Sequence, residues 1–144
     1  MKRSRNRSIL LVEDNPDDVE LTLEALKENG VTNPIIVAND GARALEEIFG
    51  NGSAASPLPM LVLLDLNLPK IGGIEVLRRI RSDPRTRTLP VVVLTSSTEE
   101  RDLVESYRLG ANSYVRKPVE FEEFHAATRA LSMYWLVLNE PPPL

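Results

Sequence analysis

The sequence predicts an α/β fold, a doubly wound sandwich in which one parallel sheet of five strands is covered by helices on both faces. Three observations predict it. Five short aliphatic runs recur along the 144 residues, each is followed by a stretch of helical period, and the longest runs are continuously apolar rather than alternating. Continuously apolar runs belong to strands buried on both sides, as parallel strands joined by helical crossovers are. Right-handed crossovers then leave few topologies, and at this length one domain fits while two do not.

Ser8-Ile9-Leu10-Leu11-Val12 is too short for a helix and ends at Glu13-Asp14, so it reads as the first strand. Asn15 is placed to cap a helix with Pro16 in its first turn; Val19, Leu23 and Leu26 follow at helical spacing, and Gly30 stops the run. Ile35-Ile36-Val37-Ala38 is the second strand. Asn39-Asp40-Gly41 turns the chain into a helix with Ala44, Leu45, Ile48 and Phe49 on one side. Residues 50–59 are small and turn-rich and are expected to form a loop.

Met60-Leu61-Val62-Leu63-Leu64 is the third and most hydrophobic strand, ending at Asp65. After Pro69-Lys70-Ile71-Gly72-Gly73, a helix turns Ile74, Val76, Leu77 and Ile80 inward. Val91-Val92-Val93-Leu94, ending at Thr95, is the fourth strand, followed by a polar helix over 98–109 and a short strand, Ser113-Tyr114-Val115. A last helix is expected over 120–138, with Phe121, Phe124, Leu131, Trp135 and Leu138 forming a mostly buried stripe. Pro141, Pro142 and Pro143 end the ordered chain, so residues 1–7 read as a flexible basic terminus, 8–138 as the domain and 139–144 as a Pro-rich tail.

Composition removes several function classes. Cysteine is absent, which fits a reducing, cytoplasmic setting and excludes thiolate catalysis, Cys metal sites and disulfides. No apolar run approaches the roughly 18 residues of a membrane span, so neither a membrane partner nor secretion is expected. The net charge is −4, and Lys2, Arg3, Arg5 and Arg7 supply four of the 17 basic residues. Residues 8–144 therefore carry 13 basic against 21 acidic groups, a net −8, which argues against a nucleic-acid partner.

In an open parallel sheet the working crevice lies beyond the carboxyl ends of the strands. Glu13 and Asp14 stand at the end of the first strand and Asp65 at the end of the third. Unit charges about 4 Å apart repel by roughly 4 kcal/mol at an effective dielectric near 20, so such a cluster needs a shared proton or a bound cation. Oxygen donors without His or Cys nearby suit hard Mg²⁺, which commonly takes a phosphate oxygen as a further ligand. The Thr95 hydroxyl and Lys117, just before Pro118, can reach the same crevice. A carboxylate nucleophile, a cation, an ammonium and a hydroxyl donor are the parts that phosphoryl transfer requires.

In that order these residues resemble the response-regulator receiver domains of two-component signalling. The resemblance is carried by Leu10-Leu11-Val12-Glu13-Asp14-Asn15, Leu63-Leu64-Asp65-Leu66-Asn67-Leu68-Pro69 with Gly72-Gly73, Val93-Leu94-Thr95-Ser96, and Tyr114-Val115-Arg116-Lys117-Pro118. It implies the flavodoxin-like (βα)5 fold with the chemotaxis-regulator strand order 2-1-3-4-5. It implies Asp65 as the phospho-acceptor, and Glu13, Asp14, Asp65 and the Asn67 carbonyl as Mg²⁺ ligands, direct or through water. Thr95 would bond the phosphoryl group and Lys117 would pair with it. On phosphorylation Thr95 is expected to move inward and Tyr114 to rotate into the space vacated. The partner implied is a sensor histidine kinase, and the protein would catalyse only its own Mg²⁺-dependent phosphorylation and dephosphorylation.

Asn67, the Pro-Leu-Pro segment before the third strand and the tail with Tyr134-Trp135-Leu136 resemble stand-alone regulators that partner phytochrome-type kinases. Ser96 departs from the commonest pattern, Ala or Gly, and puts a hydroxyl beside the acceptor. The final turns, Met133 to Val137, are apolar almost all round, which predicts a homodimer through the last helix. His125 reads as a helix-surface residue with no partner for a catalytic pair. With the chain ending at Leu144, the signal is expected to leave by docking onto a downstream protein. Three alternatives remain: a degenerate receiver acting only as a binding module, a haloacid-dehalogenase-type phosphatase, which needs an acid where Asn67 stands, and a flavin module, which needs a phosphate loop after the first strand.

Overall fold

A computed structural model of the protein describes residues 7–50, 57–117, 120–140 and 142, without the side chains of Phe121 and Val137. Most of the basic terminus and of the 50–59 loop, half of the Pro-rich tail, and Pro118 lie outside the described residues. The elements run β1 (Ile9–Val12), α1 (Pro16–Glu28), β2 (Ile35–Ala38), α2 (Gly41–Phe49), β3 (Leu61–Leu64), α3 (Gly73–Ser82), β4 (Val91–Thr95), α4 (Glu100–Arg108), β5 (Ser113–Arg116) and α5 (Phe121–Ser132), with a π-helical turn over Met133–Leu138. The strands form one sheet in the order β2-β1-β3-β4-β5, every pair parallel. The doubly wound fold read from the sequence is the fold observed.

Register explains why the strand ends converge. Val12 pairs with Leu64 and Leu64 with Val93, so the chain leaves β1, β3 and β4 at nearly one level. The Asp65 amide donates to the Val12 carbonyl at 3.0 Å and the Lys117 amide to the Thr95 carbonyl at 2.8 Å, which carries the ladder just past the strands. β1, β3 and β4 are buried throughout, whereas the edge strands β2 and β5 are only part-buried.

Alternate residues of each strand feed two cores. Leu10, Val12, Val62, Leu64, Val91 and Val93 pack under α2 and α3, against Ala44, Ile48, Val76, Leu77 and Ile80. Ile9, Leu11, Leu61, Leu63 and Val92 face the other way and meet Trp135, with Val19 and Leu23 of α1 and Leu131 of α5. Each fully buried aliphatic side chain of this kind stabilises the fold by about 1.5–3 kcal/mol. Among the described residues no helix is long and apolar enough to cross a membrane.

The caps lie where the side chains predict them. Asn15 Oδ1 accepts the amides of Asp17 at 2.9 Å and Asp18 at 3.3 Å, and Pro16 opens α1. Asp40 Oδ1 accepts the Arg43 amide at 2.8 Å at the start of α2, and that bond holds the Asp40 carboxyl below its ordinary value. Gly30, at φ 80°, stops α1 in the left-handed region where glycine is at ease.

Several boundaries differ from the sequence reading by a residue or more, three of them with a visible consequence or cause. β3 starts at Leu61, not Met60, and Ile74 is only part-buried while Val76, Leu77 and Ile80 are fully enclosed. α4 starts at Glu100 rather than at 98, because the Ser97 hydroxyl accepts the Glu99 amide at 3.3 Å and donates to Asp102 Oδ2 at 2.6 Å, holding the preceding turn by side chain. The last α-helix ends at Ser132, and a π turn follows in which the Asn139 amide reaches the Tyr134 carbonyl. That wider turn rephases the stripe: Trp135 is 9% exposed, but Leu138, expected in the core, is 65% exposed.

Candidate functional site

The carboxyl ends of β1, β3 and β4 and the loop after β5 bring together Glu13, Asp14, Asp65, Thr95 and Lys117. Asp65 is 5% exposed and every oxygen of its carboxylate is engaged. Oδ1 accepts the Thr95 hydroxyl at 2.7 Å and the Asn67 amide at 3.1 Å, while Oδ2 accepts Lys117 Nζ at 3.1 Å. Thr95 is fully buried and its oxygen also accepts the Ser97 amide at 3.3 Å.

Lys117 is the hub. Its ammonium donates to Glu13 Oε1, to Asp18 Oδ2 at 2.9 Å and to Asp65 Oδ2, so its three N–H groups meet three carboxylates. Burial pulls the Lys117 pKa down, but the hydrogen bonds to Asp18 and Glu13 and the nearby Asp65 charge outweigh it, and the ammonium is held above its ordinary value. Burial pushes the Glu13 carboxyl up to about 7, with the Asp65 charge adding to the rise and Lys117 opposing it. Buried charge is tolerated here because each group has partners.

One oxygen from each of Glu13, Asp14 and Asp65 lies within 4.8 Å of the others, with Asp14 exposed and the other two buried. The donors are carboxylates alone and the Asp14 side opens to solvent, an arrangement that fits a hard divalent cation. Asn67 is exposed, and its amide is spent on Asp65. Gly73, at the start of α3, lets this loop close: a Cβ there would meet the Asp65 carbonyl and come within 2.6 Å of Leu66 Cα.

Thr95 already donates to Asp65, and Tyr114, expected to rotate inward, already packs against the larger core. Its hydroxyl is buried and has no hydrogen-bond partner among the described residues. Ser96 is exposed beside Thr95. His125 lies away from this cluster, where Nε2 is 2.9 Å from Glu28 Oε2 and ties α5 to α1.

Sequence reasoning missed Asp18 and Ser97. Asp18 sits in the first turn of α1, three residues past the capping Asn15, where an acidic residue reads as a helix-start charge and gives no sign of a site. Ser97 gave none, since a serine two residues past a strand reads as loop.

Residues 9–129 match the response regulator receiver domain family. Among curated relatives, a probable methanogenesis regulatory protein, FilR2 of Methanothrix harundinacea, is 42% identical over 93% of this chain and 86% of its own length. The response regulator Rcp1 of Synechocystis sp. is 40% identical over 89% of this chain and 88% of its own. The crystal structure of the Mn²⁺-bound form of Rcp1 superposes with a TM-score of 0.88 at 37% identity, covering 95% of this chain and 99% of that one. The phosphorylated cyanobacterial phytochrome response regulator RcpA superposes with a TM-score of 0.90 at 37% identity, covering 96% of this chain and 99% of that one.

Proposed function

The chain belongs to the response-regulator receiver family, and on that premise we propose that Asp65 accepts a phosphoryl group from a sensor histidine kinase and that the phosphorylated protein signals by docking. The observation that carries this reading is the buried Asp65 carboxylate flanked by Thr95 on one oxygen and Lys117 on the other, beside Glu13 and Asp14.

An Asp65 oxygen bonds to phosphorus as the P–N bond of the donor phosphohistidine breaks, and the imidazole leaves with that electron pair. The product is an acyl phosphate, which water later cleaves to inorganic phosphate and the free carboxylate. Lys117 and Thr95 are donors aimed at the acceptor oxygens, placed to neutralise the charge of the transferred group. Glu13, Asp14, Asp65 and the Asn67 carbonyl would hold Mg²⁺, which supplies further positive charge when bound. The all-oxygen donor set and the Mn²⁺-bound form of Rcp1 support a divalent ion. Thr95 and Tyr114 would form the switch: a phosphoryl group claims the Thr95 hydroxyl, and the Tyr114 ring, whose buried hydroxyl has no hydrogen-bond partner among the described residues to hold it, turns toward the space vacated.

The functional unit spans 8–138, flanked by the basic residues 1–7 and the Pro-rich 139–144. We assign a kinase of the phytochrome type as partner on the likeness to RcpA, and a cytoplasmic setting to match it. Met133, Tyr134 and Leu138, each more than half exposed, support a homodimer through the last turns.

The test is labelling with acetyl phosphate and Mg²⁺. The wild type gains a hydroxylamine-labile phosphoryl group and binds beryllofluoride, and Asp65→Asn does neither. Labelling of Asp65→Asn at the wild-type rate would overturn the assignment, and failure of the wild type to label or bind would favour a purely binding role.

A further inference from the structure

We propose that Asp18 is a positioning residue for Lys117, holding the ammonium beside the acceptor from a side that leaves Glu13 and Asp65 able to take a divalent cation. The proposal rests on the reading of Glu13, Asp14 and Asp65 as the cation's ligands.

Lys117 spends its three N–H groups on Glu13, Asp18 and Asp65. Asp18 differs from the other two acceptors. It is not among the three carboxylates whose oxygens converge within 4.8 Å. Its side chain is 28% exposed, against 3% for Glu13 and 5% for Asp65. It comes from the first turn of α1 rather than from a strand end, and its backbone is fastened twice: its amide donates to Asn15 Oδ1 at 3.3 Å, and its carbonyl accepts the hydroxyl of buried Thr22 at 2.7 Å. The carboxylate therefore stands on a fixed base.

A doubly charged ion drawn to Glu13 and Asp65 repels an ammonium bonded to the same two groups. Lys117 must loosen at least one of those bonds, and it stays near the acceptor only if something outside the ligand set holds it. Among the described residues Asp18 is the one Lys117 acceptor that meets this condition. Removing it leaves the ammonium bonded to two prospective ligands, in competition with the cation.

The experiment is a Mg²⁺ titration by calorimetry on four proteins: wild type, Asp18→Asn, Lys117→Met and the double variant, with urea denaturation to show that each is folded. Asp18→Asn is expected to weaken Mg²⁺ binding about tenfold when Lys117 is present and about twofold or less in the Lys117→Met background, where only a bare charge is lost. Asp18→Ser serves if Asn is not tolerated, and Asp18→Glu restores part of the affinity. Equal losses in the two backgrounds, or no loss beside Lys117, would overturn the role of Asp18. Failure of the wild type itself to bind Mg²⁺ would overturn the ligand assignment and this proposal with it.

Discussion

The Thr95 hydroxyl links the Asp65 carboxylate to the start of α4: it donates to Asp65 Oδ1 at 2.7 Å and accepts the Ser97 amide at 3.3 Å, while Ser97 itself bonds Asp102 and Glu99. One hydroxyl thus serves the buried Asp65 carboxylate and the turn that begins a surface helix.

Thr95→Val removes that hydroxyl at nearly constant volume and leaves the buried Ser97 amide without its acceptor. Urea denaturation is expected to show a loss of about 1–3 kcal/mol, with weaker beryllofluoride binding, and Thr95→Ser is expected to restore most of both. Unchanged stability and binding in the Val variant would mean that the hydroxyl is idle.

Gly73 and Gly72 predict opposite outcomes for the same added methyl. At Gly73 a Cβ runs into the backbone of Asp65 and Leu66, whereas at Gly72 the nearest atom is the Leu66 carbonyl oxygen at 3.9 Å. Gly73→Ala is expected to cost about 1–3 kcal/mol and to slow phosphorylation, and Gly72→Ala to cost little. Equal denaturation midpoints for the two variants would contradict the packing described.

Asp40 gives a dependence on acidity. Its folded pKa is depressed below 3.8, first by the Arg43 amide, so the stability it adds is present above that ordinary value and is lost as pH falls through the lower folded one. Asp40→Asn keeps a capping oxygen without the charge. The wild type is expected to melt higher at pH 7, and the gap to close as pH falls from 3.8 through the lower folded value. A gap constant across that range would remove the carboxylate from the account.

The last turns separate stability from association. Trp135→Ala, in the smaller core, is expected to cost about 3–5 kcal/mol. Tyr134→Ser with Leu138→Ser, both exposed, is expected to leave the unfolding midpoint nearly unchanged and to weaken dimers. Sedimentation of the wild type showing only 16.1 kDa species at tens of micromolar, a range set by weak interfaces, would refute the dimer.

Glu13, Asp14, Asp65, Thr95 and Lys117 were legible because each ends or follows a strand, and parallel topology brings strand ends to one edge. Asp18 was not, since its role depends on the direction in which Lys117 reaches back from β5 across 99 residues of sequence separation. Ser97 was hidden because its bonds are to a helix start that it helps to define. Leu138 misled: a stripe counted at the α-helical period cannot register a turn of a different pitch. His125 shows the reverse, since Glu28 is its neighbour only once α1 and α5 are packed together.

The turn over Met133–Leu138 holds one more residue than an α-helical turn. Losing a single residue there would let the α-helix run on and would swing the chain beyond it by about 100°. Substitution can only repaint side chains in this region, whereas a one-codon deletion would rotate the whole set. Gain or loss of a residue at this turn would therefore re-aim the exposed Met133, Tyr134 and Leu138 while leaving the carboxylates at the strand ends where they are.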